Sequence, residues 1–318
     1  MDISSNDRMN WKNKSVVVTG GSGFLGSRIV TLLKERFATN IKIPDSSTCD
    51  LRLRENCYKI TKNSDIVFHI AAKVGGIGLN QQKPGELFYD NLIMGVNLIE
   101  EARKNDVEKF IALGTVCSYP KFTPIPFSED SIWDGYPEET NAPYGLAKKM
   151  LLVQSQAYRQ QYDFQSIMII PTNLYGTGDN FDESSSHVIP ALIKKIFHAK
   201  KNNLNTISVW GDGSPTRDFL YVDDAANGIV LAAEKYNKST PLNLGSGIEI
   251  SINDLIKKLF QLMNVDFQIQ WQTEKPNGQP RRCVSNELAK KEIGFEPKTS
   301  LDTGLKQTIE WYESNLLN

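Results

Sequence analysis

The sequence predicts an α/β protein with a doubly wound parallel sheet and a smaller C-terminal substrate lobe. Short apolar segments typical of buried strands alternate with segments of helical period, and a glycine-rich turn follows the first strand. Alternating β and α units form parallel sheets with right-handed crossovers. After Gly176 the alternation loosens into loops rich in Gly, Asp, Ser and Pro. A chain of 318 residues is long for one compact core and fits a large domain with a lobe attached.

The strands of the large domain are predicted from short runs of apolar and β-branched residues. Residues 15–19 read Ser-Val-Val-Val-Thr, and the glycine turn at 20–26 and a helix at 27–34 follow them. The further strands are predicted at residues 41–43, 65–71, 110–114 and 166–170. Helices of the same domain are predicted at residues 87–104 and 144–162.

The second lobe is predicted to contain two amphipathic helices. One covers residues 250–263, where Ser251 and Asp254 have the spacing of a helix cap, and the other covers residues 301–317. The chain is expected to return once to the large domain. The predicted limits are 14–173 for the dinucleotide-binding domain with a return segment at about 218–240, and 174–217 and 241–318 for the mainly substrate-binding lobe.

Composition narrows the class of protein. A hydrophobic content of 40% and a net charge of −1 argue against a disordered chain and a general nucleic-acid binder. No apolar run approaches the roughly 20 residues of a membrane helix, and the polar N-terminus lacks the apolar core of a secretory signal. The four cysteines have no short paired spacing, so no metal site is predicted. We expect a cytoplasmic protein with reduced thiols.

A glycine turn lies between the first strand and the first helix. Gly20, Gly23 and Gly26 form a G-x-x-G-x-x-G pattern, which lets the backbone turn tightly and approach a pyrophosphate at the helix N-terminus. Glycine turns are common on their own. The strand–turn–helix context, however, predicts a Rossmann dinucleotide site.

The residue after the second strand of such a domain distinguishes the two nicotinamide cofactors. Asp45 lies 19 residues after Gly26, where an acid binds the ribose 2′-hydroxyl and favours NAD(H). No Arg or Lys occurs between Lys42 and Arg52, which weakens the case for a 2′-phosphate. The alternative interpretation is a solvated turn aspartate beside Pro44.

Tyr144 and Lys148 are four residues apart and share one helix face. A nearby ammonium is expected to lower the tyrosine pKa and make the phenol a usable acid/base near neutral pH. Thr115 or Ser118, near the end of the fourth strand, supplies a hydroxyl for the carbonyl oxygen. A packed aromatic beside a surface lysine is the alternative, and the glycine turn upstream favours catalysis.

A thiol and an imidazole form a second candidate pair, suited to moving C–H protons beside a ketone. Cys117 follows the fourth strand, where doubly wound sheets bind ligands, and His187 lies in a polar loop. Taken singly, each is more often a buried small hydrophobe or a loop histidine. His69, inside an apolar strand, is interpreted as a core or cofactor-adjacent residue.

Cations and an aromatic residue in the second half have the chemistry to bind a sugar nucleotide diphosphate. Arg217, Lys194 and Lys195 supply charge and donors for phosphate, and Trp210 supplies a stacking surface. An ordinary charged face with a core tryptophan is the alternative.

These motifs together resemble the extended short-chain dehydrogenase/reductases, and within them the GDP-L-fucose synthase family. The resemblance runs from about residue 14 to about residue 312. Its most specific parts are Lys-Val-Gly-Gly-Ile at 73–77 and Ser-His-Val-Ile-Pro at 186–190. The other matching stretches lie at residues 71–72, 143–148, 171–176, 179–181, 191–192, 209–211, 217–224 and 275–281.

The resemblance implies a bifunctional 3,5-epimerase/4-reductase that acts on GDP-4-keto-6-deoxy-D-mannose. Tyr144 would protonate O4 while Lys148 binds the nicotinamide ribose, and Thr115 stands in place of the family's catalytic serine. Cys117 and His187 would be the acid/base pair of epimerisation. The implied substrate contacts are Asn173, Lys195, Trp210, Arg217 and Asn277.

The resemblance also implies NADP(H) as cofactor and a homodimer. The implied cofactor contacts are Gly20, Gly23, Phe24, Leu25, Gly26, Asp45, Ala71, Ala72, Lys148, Pro171, Asn173, Leu174 and His187. The chain departs from the family pattern at four of the positions named above. Thr115 replaces Ser, Lys195 replaces Arg and Asn277 replaces Asp, while Asp45 lies close to the position at which NADPH-using members have an Arg that binds the 2′-phosphate.

Other functions stay open at this point. One is a GDP-sugar 4-reductase or 5-epimerase/4-reductase acting on a heptose or a 3,6-dideoxyhexose. A 4,6-dehydratase needs an acidic pair after the fourth strand, which Thr115-Val-Cys117 lacks. A non-enzymatic nucleotide sensor usually loses the Tyr/Lys pair, which this chain keeps.

Overall fold

A six-stranded parallel sheet forms the large domain. The structure is a computed structural model that describes residues 9–182 and 185–316. The strands of this sheet are β1 (Ser15–Thr19), β2 (Asn40–Lys42), β3 (Ile66–His69), β4 (Lys109–Leu113), β5 (Ser166–Pro171) and β9 (Leu242–Leu244). Their order is β2-β1-β3-β4-β5-β9. The order reverses at β1, which confirms the predicted doubly wound sheet.

Helices cover both faces of this sheet. The helices of the large domain are α1 (Phe24–Glu35), α2 (Arg54–Thr61), α3 (Ile77–Gln82), α4 (Pro84–Lys104), α5 (Ala142–Tyr162), α7 (Val222–Lys235) and α9 (Glu287–Ile293). On β1, Val16 and Val18 pack in one core while Val17 packs in the other. Because successive side chains of a strand point to opposite faces, the Val-Val-Val run is buried on both sides.

The smaller lobe is built from two small sheets and three helices. Its strands are β6 (Asn173–Tyr175), β7 (Thr206–Trp210), β8 (Thr216–Tyr221), β10 (Glu249–Ser251) and β11 (Gln268–Gln272). Its helices are α6 (Val188–Lys201), α8 (Ile252–Met263) and α10 (Leu301–Leu316). The predicted cap of α8 is present, since Ser251 Oγ accepts a hydrogen bond from Asp254 N at 3.0 Å.

The return of the chain to the large domain extends beyond the predicted limit of about residue 240. β9 pairs with β5 in parallel, with Leu242 beside Ile169. α9 then packs against α7 and β9, and Phe295 joins the same core. The segment is longer because the sheet needs β9 to cover the edge of β5. The division into two lobes otherwise stays a prediction.

The described part of the chain contains no helix long and apolar enough to cross a membrane. Within the same residues, no group of three or more His, Cys, Asp or Glu side chains has the arrangement of a metal site.

Candidate active site

A cleft of about 1550 Å³ opens at the carboxyl ends of the large sheet and extends between the domain and the lobe. Ligands bind at this edge of doubly wound sheets. All but one of the predicted site residues line this cleft. Those that line it are Gly20, Gly23, Phe24, Leu25, Gly26, Ala71, Ala72, Thr115, Cys117, Tyr144, Lys148, Pro171, Asn173, Leu174, His187, Lys195, Trp210, Arg217 and Asn277.

The glycine turn has the geometry of a dinucleotide site. Gly20 has φ of +69°, and a Cβ there would lie 3.0 Å from the Cα of Ala71. A Cβ on Gly26 would lie 2.0 Å from the carbonyl oxygen of Gly20, so no side chain fits. Gly23 is the N-cap of α1 and caps it with no side chain. The first N–H groups of α1 therefore remain available to an anion in the cleft.

The surroundings of the Lys148 amine test whether the cleft fits a dinucleotide. Its side chain is 2% exposed, and Nζ has no hydrogen-bond partner among the described residues. Burial lowers the pKa of Lys148 to about 8. A buried amine without acceptors is unfavourable. The hydroxyls of a nicotinamide ribose are acceptors of the right kind, so the residues present fit this cofactor.

This arrangement predicts that Lys148→Met stabilises the cofactor-free protein while weakening dinucleotide binding. The pKa of Lys148 in the folded state is below its ordinary value near 10.5, so the folded protein binds fewer protons than the unfolded chain between about pH 8 and 10.5. The penalty is therefore fully present below about pH 8 and disappears as the pH rises towards 10.5. A shift of this size corresponds to on the order of 2–4 kcal/mol of unfolding free energy.

The measurement is the thermal midpoint of wild type and Lys148→Met from pH 6.5 to 10.5. We expect the variant to be more stable at pH 7 and the difference to shrink above pH 8. A variant less stable than wild type at pH 7 would contradict the inference that the buried, unpaired amine of Lys148 destabilises the cofactor-free protein. Lys12→Met, on the chain outside the cleft, is the control for removing a lysine.

The end of β4 brings Thr115, Cys117 and Tyr144 together. Thr115 precedes a 3-10 turn at Val116–Ser118, and its Oγ1 accepts a hydrogen bond from Cys117 N at 3.2 Å. A Cβ on Gly145 would lie 2.3 Å from the carbonyl oxygen of Cys117. Only glycine fits at this contact, which places the start of α5, and with it Tyr144, against the cysteine turn.

The predicted role of Ser118 as an alternative to Thr115 is not supported. Ser118 is buried and donates its hydroxyl to the carbonyl oxygen of Gly145 at 2.8 Å. It therefore ties α5 to the turn, while Thr115 lines the cleft. The hydroxyl of the site belongs to Thr115.

The electrostatics of Tyr144 differ from the sequence expectation. Burial raises the pKa of Tyr144 above its ordinary value, the nearby Cys117 adds to the rise, and a hydrogen bond with the Thr115 side chain opposes it. The expected lowering by the Lys148 ammonium was wrong, because Lys148 is not among the groups that shift this phenol. The phenol is protonated at neutral pH, which is the form that a proton donor needs.

His187 approaches the cleft from the other side. It precedes α6 without capping it, whereas Cys117 follows β4 of the large domain. His187 is exposed to the open cleft. The protein packed around its ring, and then the charge of Arg282, lower the pKa of His187 below its ordinary value, and contact with solvent weakens both effects. The imidazole is therefore neutral at pH 7 and able to accept a proton.

Arg217 is held rigidly in the floor of the cleft. Its Nη1 donates to the carbonyl oxygens of Thr216 and Gln279, both at 2.7 Å, and its Nη2 donates to that of Asn277 at 3.3 Å. Burial, and then the nearby Arg282, lower the pKa of Arg217. A guanidinium held by neutral carbonyls keeps a positive charge for an anion in the cleft.

The far end of the cleft is formed by the lobe. Trp210 is half-exposed at the end of β7, and Lys275 Nζ lies 5.5 Å from the centroid of its ring. Lys195 on α6 donates to the carbonyl oxygen of Ser208 at 2.8 Å. Asn277 Oδ1 accepts from Asp212 N at 3.1 Å and so orders the turn that follows Trp210. Direct substrate contact by these residues stays a prediction.

Asp45 is the predicted site residue that does not line the cleft. Its carboxylate accepts hydrogen bonds from the N–H and the hydroxyl of Ser47, both at 2.8 Å. These two bonds hold the pKa of Asp45 below its ordinary value. The geometry is that of a turn aspartate, the alternative raised from the sequence. Arg52 is the cation of this segment that lines the cleft.

Three buried charged residues of the cleft, Arg282, Asp179 and Asp90, were not predicted. Arg282 is 7% exposed, and it directly follows the stretch at 275–281 that marks the resemblance. The adjacent pair Arg281-Arg282, at the end of that stretch, was the feature of the sequence that could have indicated a role for Arg282. Asp179 is also 7% exposed, and burial raises its pKa to about 7. Asp179 lies in the stretch 179–181 that matches the family, although no role was predicted for it.

His69 is a core residue and does not line the cleft. Its Nδ1 lies 3.1 Å from Thr19 Oγ1, which also accepts a hydrogen bond from Ala71 N. Burial, and then Lys148, keep the pKa of His69 well below its ordinary value. The residue thus links β1 to the end of β3 beside the glycine turn.

Comparisons with known proteins identify the family of this chain. The sequence profile of the NAD dependent epimerase/dehydratase family matches residues 16–245. The GDP-L-fucose synthase of Sinorhizobium fredii is 40% identical over 95% of this chain and 96% of its own length. The putative GDP-L-fucose synthase 2 of Arabidopsis thaliana is 38% identical over 99% and 97%.

A solved structure of similar fold extends this comparison. The GDP-L-fucose synthetase of Naegleria fowleri bound to NADP superposes with a TM-score of 0.86 and 26% identity over 99% of this chain and 98% of that one. The profile match and the full-length relatives together show that this chain belongs to the NAD dependent epimerase/dehydratase family of extended short-chain dehydrogenase/reductases, and within it to the GDP-L-fucose synthases.

Proposed function

We propose that the protein converts GDP-4-keto-6-deoxy-D-mannose to GDP-L-fucose with NADP(H), by epimerisation at C3 and C5 followed by reduction of the C4 ketone. The observation that carries the proposal is the meeting of two proton-transfer sets in one cleft. Tyr144, Lys148 and Thr115 form one set, and Cys117 and His187 form the other. The full-length GDP-L-fucose synthase relatives support the choice of sugar.

The cofactor would be held along the carboxyl edge of the large sheet. The N-terminus of α1 would bind its pyrophosphate, and Lys148 would bind its nicotinamide ribose. When bound, it supplies the hydride that reduces C4. The NADP-bound structure of the Naegleria fowleri relative supports NADP(H) as this cofactor.

Tyr144 acts as the proton donor in the reduction. Its phenol is protonated at neutral pH. The phenol oxygen forms a hydrogen bond with the side chain of Thr115. A ketone oxygen between these two groups receives a hydrogen bond from Tyr144 and then its proton as charge develops at O4. The hydrogen bond with Thr115 favours the phenolate that is left, and Lys148, on the same face of α5, holds the cofactor beside it.

Cys117 and His187 carry the epimerisation. Protons at C3 and C5 flank the C4 ketone, so removing either one leaves an enolate stabilised by the carbonyl. Inversion requires a base on one face of the sugar and an acid on the other. His187 is neutral and can accept the proton, while the Cys117 thiol, at the end of β4 in the same cleft, can return one.

The preference between NADPH and NADH is proposed to depend on Arg52 and not on Asp45. Arg52 lines the cleft, with Nη2 on Asp50 at 2.8 Å and Nη1 on Asp90 at 3.1 Å. A 2′-phosphate would meet this guanidinium, which these carboxylates hold in place. Asp45 binds Ser47 through its Oδ1 and does not line the cleft.

We therefore expect Asp45→Ala to change the ratio of kcat/KM for NADPH and NADH by less than about twofold, and Arg52→Gln to lower it by about tenfold, since one lost charge-assisted contact corresponds to roughly 1.4 kcal/mol. Binding of adenosine 2′,5′-bisphosphate, measured by calorimetry, gives a second readout. A large loss of NADPH preference in Asp45→Ala alone would reverse the assignment.

The whole proposal is tested by incubating the protein with GDP-4-keto-6-deoxy-D-mannose and each cofactor. Absorbance at 340 nm follows reduction, and NMR identifies the product. GDP-L-fucose is the expected product. A reduced sugar that keeps its C3 or C5 configuration would instead establish a 4-reductase or a 5-epimerase/4-reductase, and the same assay with GDP-4-keto-heptose would then identify the substrate.

A homodimer is proposed on the exposed face of α4 and α5. Phe88 and Tyr89 on α4, and Met150 and Val153 on α5, are exposed apolar side chains on two helices that pack together. Light scattering after size exclusion is expected to give twice the 35.8 kDa chain mass, and Tyr89→Glu with Val153→Glu to give one chain mass. The cytoplasmic location stays a prediction.

A further inference from the structure

The turn that leads into α3 makes a close contact with the loop that carries His187. Gly76 is the N-cap of α3, and a Cβ at this position would lie 2.9 Å from the carbonyl oxygen of Ser186. This distance is shorter than a normal contact between carbon and oxygen. The backbone of Gly76, with φ of −65° and ψ of −179°, is one that any residue adopts. Glycine is therefore needed here for space and not for conformation.

On the side of the large domain, two buried amides hold this turn in place. Asn80 Nδ2 donates to the carbonyl oxygens of Gly75 at 3.0 Å and Gly76 at 3.1 Å. Asn91 on α4 accepts from Lys73 N at 3.0 Å and donates to Lys73 O at 2.9 Å. Asn80 is 5% exposed and Asn91 is 3% exposed. The segment from residue 73 to residue 76 is thus fixed to the two helices that follow it.

The loop on the other side of the contact is less enclosed. Ser186 is half-buried and His187 is exposed. The Ser186 N–H donates to the carbonyl oxygen of Asp182 at 2.9 Å, and the carbonyl oxygen of His187 accepts from Ala191 N at 3.0 Å. The carbonyl of Ser186 belongs to the peptide bond that enters His187, so its position determines where the His187 backbone lies. A side chain at position 76 would therefore displace this loop and not the buried turn.

The short helix α3 contacts the smaller lobe at two further points. A Cβ on Gly78 would lie 3.5 Å from the ring of Trp210, and a Cβ on Gly278 would lie 3.1 Å from Cδ1 of Ile77. The helix thus lies against the loop before α6, the end of β7 and the loop that contains Gly278. Of these contacts, the one at Gly76 has the least space for a side chain.

We propose that Gly76 is a positioning residue for epimerisation: its missing side chain lets the loop before α6 approach the large domain and places His187 at the sugar. This inference rests on the proposed function. Inversion requires His187 and Cys117 to act on the same sugar, although they are carried by different segments of the chain. Gly76 acts through the peptide bond that enters His187. Tyr144 and Lys148 lie on α5 and take no part in this contact.

The first test measures incorporation of solvent deuterium into C3 and C5 without reduced cofactor. We expect Gly76→Ala to exchange about tenfold more slowly than wild type, since a misplacement of about 1 Å can cost 10²-fold in rate. Gly76→Val should exchange more slowly still. With reduced cofactor, a larger share of the reduced sugar should keep its configuration at C3 or C5. Exchange at the wild-type rate in both variants would overturn the proposal.

Cofactor binding separates positioning from a general loss of structure. The affinity of Gly76→Ala for NADPH, measured by fluorescence titration, should stay within about twofold of wild type, because only the epimerisation loop moves. A fall in cofactor affinity and hydride transfer by the same factor as deuterium exchange would show a structural role and overturn the proposal. If Gly76→Ala does not fold, Asn80→Ala replaces it. This variant loosens the turn without adding an atom, and its exchange should also be slower than that of wild type.

Gly85→Ala is the matched control for adding one methyl group. Gly85 lies on α4, and a Cβ there would meet no described atom within 4 Å. Its exchange, product configuration and cofactor affinity should equal those of wild type.

The contact itself is tested by NMR without substrate. The chain has three histidines, so the imidazole signals of His187 can be assigned with His187→Asn. In Gly76→Ala the His187 signals should shift, whereas those of His198, near the end of α6, should stay in place. Unchanged His187 signals would overturn the proposal. If wild type exchanges no deuterium, the proposed function fails, and the NMR comparison alone decides whether Gly76 positions His187.

Discussion

Tyr144→Phe is expected to abolish ketone reduction while dinucleotide binding persists. The substitution removes only the hydroxyl, and the ring that packs against the cysteine turn remains. Loss of a positioned acid costs about 10²–10⁴-fold in rate. Steady-state reduction of the 4-keto sugar at 340 nm measures the loss, and cofactor fluorescence titration measures binding.

Tyr136→Phe is the matched control for this experiment. Tyr136 is exposed and lies outside the cleft, so removal of its hydroxyl should leave both measurements unchanged. Reduction by Tyr144→Phe at near wild-type rate would remove Tyr144 from the mechanism. A loss of cofactor binding in the same variant would instead show that the phenol supports the ribose site.

Cys117→Ser and His187→Asn are expected to lose epimerisation more than hydride transfer. Without reduced cofactor, wild type in deuterated water should exchange deuterium into C3 and C5 of the 4-keto sugar. Each variant removes either the group that donates the proton or the group that accepts it. Exchange at one or both carbons should therefore fall by about 10²-fold or more. Any residual reduction should give a product with the original configuration at one or both carbons.

The control for the histidine is His198→Asn. His198 is exposed on α6, about three turns from His187, and should exchange deuterium like wild type. If Cys117→Ser and His187→Asn both exchange at the wild-type rate, the pair is structural and the protein is a simple 4-reductase.

Much of the fold follows from local pattern. The strands β1 to β5 were predicted within a few residues, and the strands of the smaller lobe were not predicted. A strand buried on both faces, such as β1, requires a continuous apolar run, which is visible in the sequence. The cap of α8 was predicted from Ser251 and Asp254 alone. β9 was missed because three residues, Leu-Asn-Leu, carry too little periodic signal to mark a strand.

The residues of the candidate site also differ in whether the sequence could predict them. Residues that lie within one motif, such as Gly20 to Gly26 and Tyr144 with Lys148, were predictable because their spacing along the chain fixes their geometry. Arg282 was not, because its partner Asn173 lies 109 positions away along the chain. The role of Asp45 was left open by the sequence, and its bonds to Ser47 favour a turn residue.

The sequence by itself determined the first five strands of the sheet, the dinucleotide turn and the Tyr/Lys pair, since each is visible as a pattern of residues close together in the chain. Only the tertiary structure decided how charge is distributed around the reacting groups. Burial keeps Tyr144 protonated, the Lys148 amine has no partner among the described residues, and Asn173 holds Arg282 from a distant segment. These effects depend on how much protein surrounds each group and on charges brought together from distant segments, and a linear pattern records neither.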